Sequence, residues 1–337
     1  MKPVLVTGAA GYVGSHTCKV LAQSGFEPIG LDSLERAGLS ELPWGPLEVV
    51  ETADTAGVAR VLARYRPVAA LHFAAYAYVG ESTANPAMYY RNNFGGSLAL
   101  FEALRAAGIG NWVFSSTCAT YGVPDVVPIA EDHPQRPVNP YGTSKLMVEQ
   151  MLLDCDFAHG LRSVALRYFN AAGADPDCEI GECHEPETHV IPLAIRTALG
   201  EQGSFEIFGT DYETPDGTAI RDFIHVTDLA RAHVIALNYL LDGGASEAFN
   251  LGTGQGHSVR QVLAAVEAVT GREVRQRASP RRAGDPPILV ADPGKARESL
   301  GWAPEIPDLT DIVRTAVAWH RKWRSRTFAS ATPAGRG

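Results

Sequence analysis

The sequence predicts an α/β protein: a doubly wound parallel sheet carrying a smaller, partly interleaved C-terminal α/β domain. Three observations predict it. Short β-rich runs alternate with helix-like segments through the first half of the chain. Those runs are near-continuously apolar, as strands covered on both faces are. A glycine-rich turn joins the first run to the first helical segment.

Val4–Val6 is an apolar run that stops at Thr7-Gly8, and residues 12–24 read as a helix. Pro28–Leu31 reads as the second strand and Glu48–Glu51 as the third. Ala56–Tyr65 carries helical spacing, and Ala69–Ala74 is an apolar strand. Asn85-Pro86 opens a long helix to about Ala107, followed by the strand Trp112–Phe114. Pro140 sits at a helix start, where its missing N–H costs nothing. That helix runs to about Phe157, with Ser163–Tyr168 as the next strand.

The texture changes after Phe169. Residues 171–189 are acidic and loop-like, and a helix follows near 190–200. Residues 203–221 read as strands and turns, Val226–Leu241 as helix and Phe249–Leu251 as strand. Residues 258–270 and 309–323 are further helices. The expected division is a first domain of 1–175 plus about 222–252, and a second of 176–221 and 253–323. Residues 324–337, small, polar and basic, read as a frayed tail.

At roughly 150 residues per domain, 337 residues suit about two. With 45% hydrophobic and 20% charged residues, a disordered chain is excluded. A net charge of −9 argues against general nucleic-acid binding. Cysteines stand at 18, 118, 155, 178 and 183, an odd number in a long chain, which fits free thiols in a reducing compartment. No apolar run reaches the ~18 residues of a membrane span. The N-terminus does not read as a signal peptide, so a cytoplasmic location is expected. Cys178, Cys183 and His184 invite a metal reading, but no C-x-x-C pair accompanies them, and no metal is expected.

Thr7-Gly8-Ala9-Ala10-Gly11-Tyr12-Val13-Gly14 follows the first strand and opens the first helix. Gly8 permits the tight turn, Gly11 lets backbone approach a pyrophosphate, and Gly14 allows close helix–strand packing. The helix N-terminus favours the anion. Asp32, at the end of the second strand, suits the two ribose hydroxyls and repels a 2′-phosphate, so NAD is expected over NADP. This makes the sheet Rossmann-type. Asp54 follows the third strand, where it suits the adenine or a plain solvated loop.

Tyr141-Gly-Thr-Ser-Lys145 sits at the start of a helix, and the spacing of four places both side chains on one face. A free phenol titrates near 10, and lowering it by about three units takes roughly 4 kcal/mol of preference for the phenolate. An ammonium and a cationic nicotinamide ring nearby are a means of supplying it. Thr117 ends the run Ser115-Ser116-Thr117 after the strand Trp112–Phe114. A hydroxyl, a phenol and an ammonium together suit alcohol–carbonyl interconversion.

These residues, with HFAAYAYVGES, FSSTCATYG, NPYGTSKLMVEQ, LRYFNAAGA, FGTDYETPDGTAIRDFIHVTDLA, NLGTG, RRAGDPP and LGWAP, run over nearly the whole chain. On them the chain resembles the extended short-chain dehydrogenase/reductase family, in its branch of UDP-sugar 4-epimerases. The resemblance implies an NAD-dependent isomerase that inverts the C4 hydroxyl of a UDP-hexose through a 4-keto sugar, with Tyr141 as base beside Lys145 and Thr117. It implies an NAD site lined by Tyr12, Val13, Asp32, Ser33, Asp54, Thr55, Phe73, Ala74, Ala75, Asn93, Lys145, Tyr168 and Phe169. It further implies that Asn170, His189, Val190, Ile207, Arg221, Arg282, Asp285 and Leu289 hold the UDP-sugar with Thr117, and that Phe208 lies against uracil. A homodimer built on the helices near 86–107 and 140–157 is implied too.

Three positions depart from the branch's best-known form. Ala77 stands where a lysine is found, Thr117 where serine is common, and Leu289 where members differ between tyrosine and smaller residues. His189 stands where some members carry asparagine. UDP-arabinose/UDP-xylose 4-epimerisation is the alternative within the branch. A sugar-nucleotide dehydratase is disfavoured, because Cys118-Ala119-Thr120 follows Thr117 where that chemistry places an Asp-Glu pair. A non-catalytic NAD-binding regulator is disfavoured by the intact Thr117, Tyr141 and Lys145.

Overall fold

The computed structural model describes residues 1–282 and 284–331, the last six of these by backbone alone. The chain opens with β1 (Lys2–Thr7), α1 (Tyr12–Gln23), β2 (Phe26–Asp32), β3 (Leu47–Val49), α2 (Thr55–Tyr65) and β4 (Ala70–His72). The short α3 (Val79–Ala84) precedes α4 (Pro86–Tyr89) and α5 (Gly96–Ala106), which a π-helical turn over Tyr90–Gly95 joins. Then come β5 (Asn111–Ser115), α6 (Pro140–His159) and β6 (Arg162–Tyr168). After β7 (Asn170–Ala172) lie α7 (Val190–Ala198), β8 (Phe205–Phe208), β9 (Ile220–His225), α8 (Val226–Leu241) and β10 (Glu247–Leu251). The chain ends with β11 (Gly256–Ser258), α9 (Val259–Thr270), β12 (Gln276–Ser279), β13 (Ile288–Leu289), α10 (Gly294–Leu300) and α11 (Leu309–Ala331).

Among the described residues the main sheet has seven parallel strands in the order β10-β6-β5-β4-β1-β2-β3. Alternation along β1 decides which face each residue serves. Val4 and Val6 enter a core with Leu21, Leu229 and Leu237 of α1 and α8. Leu5 enters the opposite core with Val61, Leu100 and Val148 of α2, α5 and α6. The chain runs outward from β1 in both directions, to β2 on one side and β4 on the other. The crevice at the C-terminal ends of those strands is where such sheets bind ligands.

A second layer sits beyond those ends. β9 pairs with β7, β11 and β13, and β8 pairs with β12. Its core gathers Ile191, Ile195, Phe205, Ile207, Val262 and Val313.

The expected strands and helices of the first half are all there, with shifted ends. β3 begins one residue early, and β4 is only three residues long. Phe73 and Ala74 leave the sheet because they pass beneath the dinucleotide turn: a Cβ on Gly8 would lie 2.7 Å from the Ala74 nitrogen. The long helix expected from Asn85 is interrupted by the π turn. The last helix runs on to Ala331 rather than stopping near 323, and residues 332–337 of the expected tail lie outside the described residues. The segment 171–189 is loop except for β7 and an Ala174–Gly181 bridge. The pieces the sequence did not disclose are α3, α10 and strands of two to four residues, too short to show a period.

Candidate active site

The glycine turn has the shape its residues dictate. Gly8 takes φ +69°, open to glycine, and a Cβ on Gly14 would fall 2.1 Å from the Gly8 carbonyl oxygen. Gly11 is the N-cap of α1 and carries no side-chain cap, and no acidic residue stands in the helix's first turn. The first N–H groups of α1 are thus left for an outside acceptor. Asp32 braces the turn from β2: Oδ2 accepts from Ala10 N at 3.0 Å and Oδ1 from Leu34 N at 2.9 Å. Ser33 lies next to it, its Oγ 3.4 Å from Glu35 N. This cradle fits a dinucleotide pyrophosphate. Val13 packs against the core beneath the turn. Tyr12 points away from it and donates to the Gly173 carbonyl at 2.6 Å.

The other residues expected at the cofactor are spread along the same crevice. Phe73 meets the His233 ring at a tilt, with 4.6 Å between ring centres, and Ala74 and Ala75 follow β4. Asn93 is carried into the interior by the π turn, donating to Tyr76 O at 3.0 Å and to Ser144 Oγ at 3.1 Å. Asp54 caps α2 by accepting from Gly57 N at 2.9 Å, and Thr55 begins that helix. Its carboxylate thus already has a local task. Tyr168, at the end of β6, shares a 2.9 Å hydrogen bond with Ser115 Oγ, and Phe169 is buried beside it.

Thr117, Tyr141 and Lys145 are all buried where β5 ends and α6 begins. Asn139 sets the start of α6 by capping Gly142 N at 2.8 Å, with Pro140 in the first turn. Lys145 Nζ donates to Ser115 O at 2.8 Å and lies 4.8 Å from the centre of the Phe114 ring. Thr117 Oγ1 accepts from Ala119 N at 3.1 Å and is in hydrogen-bond contact with the Tyr141 phenol. Burial pushes the phenol well above its ordinary range, while burial lowers the Lys145 amine to about 7. Both shifts favour the neutral forms, a phenol and an amine.

The residues expected at the sugar nucleotide fall in two groups. Arg221 on β9 pairs with Asp285 at 2.5 Å and donates to Pro286 O at 2.8 Å, and Arg282 covers the Phe208 ring at 4.1 Å. Asp285 N donates to the Arg282 carbonyl at 3.3 Å, which joins Arg221, Asp285, Arg282 and Phe208 in one patch. Asn170, His189 and Val190 line a cleft between β7, α7 and α11. That cleft touches none of Thr117, Tyr141 or Lys145. Leu289 is partly buried, packed on Cys118, Tyr121 and Phe169. Ile207 alternates with Phe208 on β8 and turns its side chain into the second core, so its backbone is what it offers a ligand.

The sequence reading missed a buried network behind Thr117. Ser116 Oγ donates to Glu149, which pairs with Arg167, and Arg167 donates to Tyr121 OH at 2.9 Å. The available signal was Arg167, a charge between Leu166 and Tyr168 on a strand in the interior of the sheet. Arg36 was also missed. It lines the crevice beside Gly11 and Tyr12 and pairs with Glu81 at 2.7 Å.

Residues 4–252 match the model of the NAD dependent epimerase/dehydratase family. A UDP-glucose 4-epimerase of Rhizobium leguminosarum bv. trifolii is 53% identical over 319 residues, 95% of this chain and 97% of that protein. The crystal structure of UDP-glucose 4-epimerase from Brucella ovis in complex with NAD superimposes with a TM-score of 0.92 at 52% identity, covering 94% and 98% of the two chains. The enzyme of that name from Stenotrophomonas maltophila, solved with NAD and formylated UDP-arabinopyranose, gives 0.93 at 40% identity over 97% and 100%. With the glycine cradle, the buried Tyr141–Lys145 pair and these likenesses together, the chain belongs to the NAD dependent epimerase/dehydratase family.

Proposed function

We propose that the protein is an NAD-dependent epimerase that interconverts UDP-galactose and UDP-glucose by inverting the C4 hydroxyl through a transient 4-keto sugar. The observation that carries this reading is the gathering of buried Thr117, Tyr141 and Lys145 at the same edge of the parallel sheet as the glycine cradle, two strands away. End-to-end likeness to proteins named UDP-glucose 4-epimerase supports it.

When bound, NAD accepts a hydride from carbon and returns it. The protein's residues supply the rest. Tyr141 takes the C4 hydroxyl proton as that carbon is oxidised and gives it back on reduction. Burial alone favours the protonated phenol, because it disfavours the anion. A protonated Lys145 would lower that cost, and the positive charge of a bound NAD would add to its effect. Lys145 spends one donor on Ser115 O, which leaves two in its ammonium form. Thr117 offers its hydroxyl to the reacting oxygen.

Arg221, Arg282 and Asp285 hold the nucleotide in this reading. Arg221 exchanges part of its pairing with Asp285 for the diphosphate, and Arg282 adds a second guanidinium fork. A clamped diphosphate leaves the keto ring free to turn and present its other face to the same Tyr141. We assign the cofactor to residues 1–175 with 222–252, and the sugar nucleotide to 176–221 and 253–323. Residues 324–337 take no part in either. Five free cysteines fit a cytoplasmic setting. Among the described residues no helix is long and apolar enough to cross a membrane.

A pentose substrate is the second reading, favoured by the relative solved with formylated UDP-arabinopyranose. Parallel assays with UDP-galactose and UDP-arabinose decide between them. The hexose reading fails if UDP-galactose is turned over about a hundredfold less efficiently, a gap of roughly 2.7 kcal/mol in transition-state binding.

A further inference from the structure

The strap between β7 and α7 gathers four side chains, three of which, Glu182, His184 and Glu187, have no part in the reading given above, while the fourth, His189, borders the sugar-nucleotide side. Glu182, His184, Glu187 and His189 bring one ligand atom each to within 4.8 Å of one another. His184 Nδ1 lies 2.9 Å from Glu182 Oε1, and His189 Nδ1 lies 2.5 Å from that same oxygen and 3.0 Å from Glu187 Oε1.

Two features of this cluster call for a cation. The Glu182 and Glu187 side chains are only 8% and 2% exposed. Among the described residues, their ion pairs go to the two imidazoles alone. One Nδ1 carries at most one hydrogen, and at His189 that single hydrogen must serve both carboxylates, so two buried anions share one donor there. The cluster is also braced from outside. Thr188 N and His189 N donate to Glu187 Oε1 at 2.7 and 2.8 Å, and Trp319 Nε1 donates to the Glu182 carbonyl at 3.1 Å. Tyr12 and Tyr78 set ring edges against His184. Such outer contacts orient metal ligands.

We propose that Glu182, His184, Glu187 and His189 bind one divalent cation of the zinc class, which ties this strap down over the dinucleotide crevice. Two imidazoles and two carboxylates are a four-coordinate donor set for zinc, and at about 2.0–2.2 Å from the metal they would stand roughly 3.4 Å apart. The tightest pair here has to open by only about 1 Å to reach that spacing. The strap's place gives the cation its effect. Cys183 lies against Gly38, and His184 and Cys183 line the crevice with Gly11 and Tyr12. No cysteine is needed as a ligand, which is why cysteine spacing in the sequence gave no sign of the site.

The test uses the full chain, purified without a histidine tag, stripped with chelator and dialysed against low micromolar ZnCl2. Metal analysis is expected to find about one zinc per chain. ZnCl2 should raise Tm where MgCl2 does not, since binding to the folded state stabilises it. Cobalt loading should give the visible absorption of a four-coordinate site. His184→Asn and Glu187→Gln should each retain at least about tenfold less zinc than the wild type, as loss of a ligand demands. Less than about a tenth of an equivalent in the wild type, or wild-type retention in both variants, overturns the proposal.

Discussion

Arg167 Nη2 lies 2.6 Å from Glu149 Oε2, and the two side chains are 8% and 6% exposed. The pair sits behind the turn that carries Thr117. Glu149 also accepts from Ser116, and Tyr121, held by Arg167, donates to Asn250 Oδ1 at 2.8 Å. Strand β5, helix α6 and strands β6 and β10 thereby meet in one polar knot. Removing one partner leaves the other charge buried and unpaired. Arg167→Met is expected to cost about 3–5 kcal/mol in urea unfolding. Adding Glu149→Gln should recover part of that loss. A single variant as stable as the wild type would show that the knot does not hold this turn.

Tyr141→Phe removes the phenolic hydroxyl and little volume. Turnover of UDP-galactose is expected to fall by about 10²–10⁴ or more, the share a general acid–base contributes. Cofactor content, measured after denaturing the protein, should be unchanged. Undiminished turnover would take the base assignment away from Tyr141.

Two buried histidines flank the Lys145 region and set an acid limit on stability. His72 lies between Thr7 Oγ1 at 2.6 Å and Ser97 Oγ at 2.7 Å, and His233 Nδ1 lies 2.8 Å from Leu229 O. Burial lowers them to about 3 and about 4, with Lys145 adding to the effect on both. In the unfolded chain they titrate near 6.5. Between pH 6.5 and 4 the unfolded state therefore binds more protons, and native stability falls as pH falls. Each imidazole contributes about 1.4 kcal/mol per pH unit in that window. Urea midpoints at pH 7 and pH 5 should show the decline, and His72→Asn should make it shallower. An equal slope in that variant would mean His72 is protonated in the native protein.

The helices expected to pair two copies carry bare apolar side chains. Phe157 is 97% exposed and Leu153 55%, both on α6, with Leu98 of α5 and Met147 also uncovered. A patch of this kind favours a partner surface. Phe157→Glu is expected to convert a dimer into a monomer in sedimentation or light scattering. A wild-type monomer at micromolar concentration would refute the dimer.

Much of this was legible in the sequence, for identifiable reasons. The glycine turn could be read because Gly8 and Gly14 each meet backbone that leaves no room for a Cβ. Tyr141 and Lys145 could be read because spacing of four on a helix fixes a common face. Val226–Leu241 was bounded correctly from its apolar period alone. The inward face of Ile207 was not read, because a resemblance transfers a position, while the face of a strand is set by alternation with Phe208. The knot around Arg167 and the strap at 182–189 join residues distant in sequence or turn on loop geometry, and no local period marks either.

The central claim is that Tyr141 serves a cofactor the protein keeps, so that hydrogen lost from C4 returns to C4. The direct measurement is to incubate purified protein, with no NAD added, with UDP-galactose deuterated at C4. UDP-glucose that retains the deuterium at C4 is the expected product. Failure to form UDP-glucose, or deuterium exchanged into solvent, would contradict the account.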